Sequence, residues 1–224
     1  MLSRKRDLLQ PASEERLGKL IEERLRPGAD KDRIDRRIWD LFGEEWCVMF
    51  TDLSGFSRNV VRFGIIHFLQ TIFESELFLV PVIESHDGML LKSEGDSFLV
   101  IFRNPEKGIR AAIEMQQTLA KVNLDRAAEE QILLCVGIGF GRVLRIGDSD
   151  VFGAQVNAAS KLGEDTARTG EILVTGAVYE RTRDLEGIEF VRLDDVPPGA
   201  DAAWRVEYAD AKSNAGGRTT NAGS

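Results

Sequence analysis

Residues Trp46–Phe56 read WCVMFTDLSGF, an apolar run that reaches Asp52 and then turns through Ser54-Gly55. The run has the length and composition of a buried strand. The glycine permits a sharp join to the helix-like pattern that follows, FGIIHFLQTIFESELFLVPVIESHDG, which contains Pro81. Strand, turn and helix in that order predict a mixed α/β (α+β) domain. The join alone is a common connection; Asp52 sets it apart. A carboxylate at the end of a buried strand, beside the unpaired N–H groups of a helix start, suits a divalent cation, while the amides suit phosphate oxygens.

Working outward, GMLLKSEGDSFLVIF predicts a two-stranded hairpin turning around Ser93-Glu94-Gly95-Asp96, with Gly95 allowing close approach of a ligand beside Asp96. If the strands bearing Asp52 and Asp96 are adjacent, both carboxylates converge on one site, and such hard oxygens favour Mg²⁺ or Mn²⁺. NPEKGIRAAIEMQQTLAKVN predicts a helix opened by Pro105, and ILLCVGIGFGRVLRIG reads as two strands with glycines at 137, 139 and 141. QVNAASKLGEDTA predicts a helix, EILVTG a strand, and FVRL and WRVEYA the last strands. Upstream, EERLGKLIEERLRPGADKDRIDRRIWDLF splits at Pro27-Gly28 into two helical stretches. The expected organisation is a charged helical lead-in over 1–40, one main domain over 41–209, and a disordered small polar tail over 210–224.

Composition removes several classes of function. Of 224 residues 43% are hydrophobic, enough for one sizeable core. Lys+Arg 29 against Asp+Glu 37 gives a formal charge of −8, and no basic cluster carries interleaved aromatics, so nucleic acid is not an expected ligand. Cys47 and Cys135 sit inside apolar runs without metal-ligand spacing, and His67 and His86 stand alone, so all four read as core or surface residues. The start MLSRKRDLLQ lacks the apolar centre of a secretory signal, and no apolar run reads as the roughly 18 residues of a membrane span. A cytoplasmic protein is expected.

Taken in order, three segments resemble the class III nucleotidyl cyclases: FTDLSGF is similar to their first metal motif, KSEGD to their second, and DVFGAQVNAASK to the segment that binds sugar and base. The likeness covers roughly residues 45–180, with Gly137, Gly139, Gly141 and the run Gly170–Val174 as lesser matches. It implies a ferredoxin-like βαββαβ core with additional strands, working as a head-to-tail homodimer with shared active sites. It further implies that Asp52 and Asp96 hold two divalent cations, Mg²⁺ or Mn²⁺, and that the amides around Leu53, Ser54, Gly55 and Phe56 receive phosphate oxygens. The facing subunit would bring Lys92, Asp150 and Asn157 to the nucleoside. Lysine at the position of Lys92 is similar to the adenylate-forming members: it donates to N1 of adenine while Asp150 accepts from the amine, whereas guanine reverses both needs. ATP is the implied substrate and cyclic AMP with pyrophosphate the implied products. Asp148 competes with Asp150 for that role, and the spacing to Asn157 favours Asp150.

Two departures stand out. Lys161 occupies the place of the family's transition-state arginine and lacks its planar two-donor fork. Leu193-Asp194-Asp195-Val196-Pro197-Pro198 holds no basic residue where many members place a triphosphate-binding lysine. Arg58 and Arg142 are candidate substitutes for the missing charge. Two alternatives follow: a cyclase-like nucleotide-binding signalling module with weak or no catalysis, and a cyclase for GTP or a pyrimidine.

Overall fold

A computed structural model describes residues 12–54 and 64–209. Its centre is an eight-stranded sheet: β1 (Gly43–Leu53), β2 (Met89–Glu94), β3 (Ser97–Phe102), β4 (Leu134–Ile146), β5 (Asp150–Phe152), β6 (Ile172–Thr175), β7 (Ile188–Arg192) and β8 (Ala203–Tyr208). The order is β2-β3-β1-β4-β6-β8-β7, with β5 pairing the end of β4. β1 runs antiparallel to both β3 and β4. With α3 (Ile65–Ser85) after β1 and α4 (Pro105–Val122) after β3, the first four strands form the βαββαβ core expected from the sequence. The remaining strands extend it, β6 running parallel to β4.

The two-residue period of the strands divides their side chains between two faces. Cys47, Met49 and Leu53 of β1, Phe98, Val100 and Phe102 of β3, and Val136 and Ile138 of β4 face Leu79 and Ile83 of α3 and Ile109, Met115 and Leu119 of α4. Trp46, Val48, Leu99, Ile101 and Val143 turn to the opposite face, under Val151 of β5 and Val156 and Ala159 of α5 (Ala154–Ser160). Asp52 has the parity of Trp46 and Val48 and so belongs to the α5 face. The N-terminal helices α1 (Ala12–Leu25) and α2 (Lys31–Phe42) pack on the far end of β4 through Leu20, Ile34, Ile38, Phe42 and Ile146. A last helix, α6 (Gly176–Thr182), follows β6.

Three details differ from expectation. ILLCVGIGFGRVLRIG forms one strand of 13 residues rather than two, because Gly137, Gly139 and Gly141 continue the ladder to β1 and lie flush under α5 instead of turning. QVNAASKLGEDTA is not one α-helix: α5 ends at Ser160 and a π-helical turn occupies Lys161–Thr166. The third is α3, which is long and apolar enough to cross a membrane by composition, with a mean hydropathy of 1.4. Its few acidic residues leave the apolar average high, yet Leu79, Val82 and Ile83 are spent on the core. Both cysteines are free and buried, as their apolar settings predict.

Candidate active site

The hairpin β2–β3 turns through Gly95, in the left-handed region at φ 61°, and Asp96. Because β3 pairs with β1 and Thr51 lies opposite Phe98, this turn comes to the end of β1 where Asp52 stands. Thr51 Oγ1 accepts a hydrogen bond from the Phe98 amide at 3.1 Å and ties the two strand ends together. Asp52 and Asp96 meet within hydrogen-bonding contact. Burial, then the neighbouring charges of Asp96, Glu164 and Asp165, push the Asp52 carboxyl up to about 7. Burial likewise raises Asp96. Both carboxyls therefore hold a proton more readily than isolated aspartates do.

Glu164 and Asp165 reach this neighbourhood because the π-turn lies across β1 and β4. A Cβ added to Gly163 would sit 2.9 Å from the Phe50 carbonyl oxygen and 3.0 Å from the Gly137 amide nitrogen. The sequence reading did not assign these two carboxylates to the site. No strand or turn signal announces them; the only hint was their acidity three and four residues after Lys161. Asp52 and Asp96 fit a hard divalent cation chemically: they are convergent oxygens that repel one another without one. Among the described residues no group of three or more His, Cys, Asp or Glu is disposed to hold a metal, so a cation held by this pair would take its further donors from outside that set.

Leu53 is buried and offers the site only its backbone, while the Ser54 amide donates to the Leu133 carbonyl at 2.8 Å and Ser54 Oγ lies 2.5 Å from Thr169 Oγ1. Gly55, Phe56 and Arg58 lie outside the described residues. Arg142 does not supply the missing charge within its own chain. It stacks 4.8 Å above Trp39 and donates to the Trp39 carbonyl at 3.2 Å. That position is seven residues along β4 from Cys135, the partner of Asp52, or about 23 Å.

Lys92 owes its position to a bulge that the sequence reading missed. Leu90 pairs with Val100 but Lys92 pairs with Leu99, so β2 carries one extra residue there. Without it Lys92 would share the helix-packed face of Leu90; with it Lys92 crosses to the face of Leu99 and α5. There its Nζ donates to Asp150 Oδ2 at 2.6 Å, a bond that raises the lysine pKa, with Glu94 3.7 Å away. Asp150 Oδ1 accepts from the Val151 amide at 2.9 Å. Asp148 instead pairs with Arg145 at 2.7 Å, so it is Asp150 that the fold brings to Lys92. Asn157 is exposed on α5, and Lys161 is exposed at the start of the π-turn, ion-paired with Asp165. The loop 194–199 packs on the start of α5, where Gln155 Nε2 donates to the Gly199 carbonyl at 3.3 Å.

Residues 43–200 match the adenylate and guanylate cyclase catalytic domain family. An adenylate/guanylate cyclase/hydrolase from Silicibacter pomeroyi is 26% identical and superposes with a TM-score of 0.61, covering 73% of this chain and 96% of that one. The adenylyl cyclase CyaB from P. aeruginosa is 19% identical, with a TM-score of 0.61 over 75% of this chain and 95% of its own, a likeness of fold. A candidate adenylate cyclase of Rhizobium meliloti is 28% identical over 161 residues, 72% of this chain, and the chain spans only 26% of that protein's length. With the family matched over most of its length and the ferredoxin-like core in place, the chain belongs to the class III adenylate and guanylate cyclase catalytic domains.

Proposed function

We propose that the chain converts ATP to 3′,5′-cyclic AMP and pyrophosphate as a head-to-tail homodimer. The observation that carries this reading is the meeting of Asp52 with Asp96 on the same sheet face that presents Lys92 bonded to Asp150. Asp52 and Asp96 would hold Mg²⁺ or Mn²⁺, which when bound neutralises phosphate charge and favours in-line attack of the 3′-hydroxyl on the α-phosphate. From the facing subunit, Lys92 donates to N1 of adenine and Asp150 accepts from its amine. Asn157 orients the ribose, and Lys161 meets negative charge growing on the α-phosphate. The amides of Leu53, Gly55 and Phe56 receive phosphate oxygens, the Ser54 amide being held by the Leu133 carbonyl. The direct test incubates purified protein with each of the four ribonucleoside triphosphates and Mn²⁺ and identifies cyclic products by mass. Cyclic AMP as the main product supports the reading, and a different cyclic nucleotide as the main product redirects the base assignment.

One observation favours a weak or purely nucleotide-binding module: Lys161 is engaged by Asp165, so its charge is partly neutralised where the reaction needs it. Lys161→Arg separates the two readings. Arginine adds a planar second donor, and the expected result is a kcat higher by about three- to tenfold with little change in KM. A loss of activity would mean the pocket is built for lysine.

The carboxylate pair also predicts a pH-dependent response to cations. The Asp52 carboxyl lies near 7 in the fold against an ordinary 3.8, so the folded state binds the extra proton. The metal-free protein therefore loses stability as pH rises through about 4 to 7 and levels off above that. A cation that replaces the proton stabilises most where the proton is already gone. The gain in Tm from Mn²⁺ over EDTA should be clearly larger at about pH 8 than at about pH 5, read by differential scanning fluorimetry.

A further inference from the structure

The N-terminal helices grip the turn that carries Asp150, and we infer that the α1–α2 hairpin is a positioning element for the nucleobase pocket. The inference rests on the reading of Lys92 and Asp150 as base contacts.

β4 ends at Ile146 and β5 begins at Asp150, and these two residues pair with each other across the turn Gly147-Asp148-Ser149. Ile146 is 2% exposed, closed in by Leu20 from α1 and Ile34, Ile38 and Phe42 from α2. One residue before Asp150, Ser149 Oγ lies 2.8 Å from Glu14 Oε1 of α1 and 2.9 Å from the Ile146 carbonyl, its single hydrogen serving one or the other. On the domain side, Arg145 donates to the Gly147 carbonyl at 3.0 Å and to Asp148 at 2.7 Å, while its guanidinium lies 4.8 Å from the Trp46 ring. The turn is thus held from both sides, and only the hairpin side belongs to the lead-in. The two helices also hold each other: Arg24 donates twice to Asp35, at 2.6 and 3.1 Å, and Arg37 twice to Glu23, at 3.2 and 3.0 Å. A displacement of α1 therefore carries α2 and Ile146 with it. Because Ile146 pairs with Asp150, it shifts the acceptor that meets Lys92.

A hairpin that merely adds stability would change the affinities for all nucleotides alike or not at all. A positioning hairpin changes the preference among them, because only adenine uses the Asp150 acceptor together with the Lys92 donor. The test uses the full chain with Leu20→Ala, Glu14→Ala, Glu14→Gln and, as reference, Asp150→Ala. Hydrogen exchange is followed by mass spectrometry across residues 147–152, and ATP and GTP affinities are measured by calorimetry with Mn²⁺. Leu20→Ala should speed exchange in 147–152 while leaving β1 and β3 protected. If the turn is then in place about a third of the time, ATP affinity falls about threefold and GTP affinity does not follow. Glu14→Ala should act in the same direction and less, and Glu14→Gln, which keeps the acceptor oxygen, should match the parent. An unchanged ATP to GTP ratio in Leu20→Ala, with the ratio lowered in Asp150→Ala, overturns the grip while the base contacts stand. A ratio unchanged in Asp150→Ala overturns the base contacts and the inference with them.

Discussion

Asp52→Ala protein is expected to form no detectable cyclic nucleotide, a loss of at least about a thousandfold, comparable to removing a preorganised charge partner from an active site. The expectation follows from the place of Asp52: half-buried at the end of β1, in contact with Asp96 and repelled by Glu164 and Asp165. The fold should survive. Removing one of several mutually repelling carboxylates relieves strain at neutral pH, so the metal-free variant should melt at or above the parent temperature, which separates lost chemistry from lost structure. Asn157→Ala, on exposed α5, should be strongly impaired for a different reason, loss of the ribose contact from the facing subunit. In a mixed dimer of the two variants one site carries both lesions and the other neither, so co-expression should restore activity toward one intact site per mixed dimer. Mixed dimers as inactive as their parents would rule out shared sites.

The largest effect on stability belongs to Gly137→Ala. An added Cβ would stand 2.1 Å from the Ala159 carbonyl oxygen and 2.3 Å from the Gly163 amide nitrogen, both backbone atoms that no rotamer change can move. Relief requires α5 and the π-turn to lift off β4, at a cost of about 3 kcal/mol or more. Urea denaturation should show the lower midpoint. Gly18→Ala provides the opposite sign: Gly18 is exposed in α1 with nothing within 4 Å of the added carbon, so alanine's helix preference should stabilise by about 0.5–1 kcal/mol. Cyclase activity of Gly137→Ala should fall further than its stability alone explains, since the lifted segment carries Asn157 and Lys161.

These two positions mark what the sequence made legible and what it did not. That Asp52 and Asp96 could meet was readable because each sits where an apolar run meets a glycine turn; the adjacency it required comes from β1 pairing with β3, which no local pattern announces. The bulge at Leu90/Lys92 was not readable, because the choice of which residue to leave unpaired is made by packing on both faces of the sheet at once. The same holds for the π-turn. Nothing in KLGEDT departs from a helical pattern; the extra residue is accommodated because Gly137 and Gly163 let two backbones approach. Glu164 and Asp165 were therefore placed beside Asp52 by a fit between glycines far apart in sequence. Reading β4 as two strands had a similar origin, since glycines spaced by two signal a turn unless a helix lies directly upon them.

The bond between Lys92 and Asp150 bears on how such a chain drifts over generations. Both side chains are partly shielded, and each already answers the other's charge before any nucleotide arrives. A single exchange of Lys92 for glutamate would set two carboxylates side by side, and a single exchange of Asp150 for a neutral residue would leave the ammonium only the more distant Glu94. If the pair reads the base as proposed, losing one member without the other weakens both the ion pair and the pocket. On the proposed reading, a lineage that retained this pair would keep its nucleobase preference through neutral change elsewhere, and one that switched it would have to replace both residues or pass through an ancestor poor at either base.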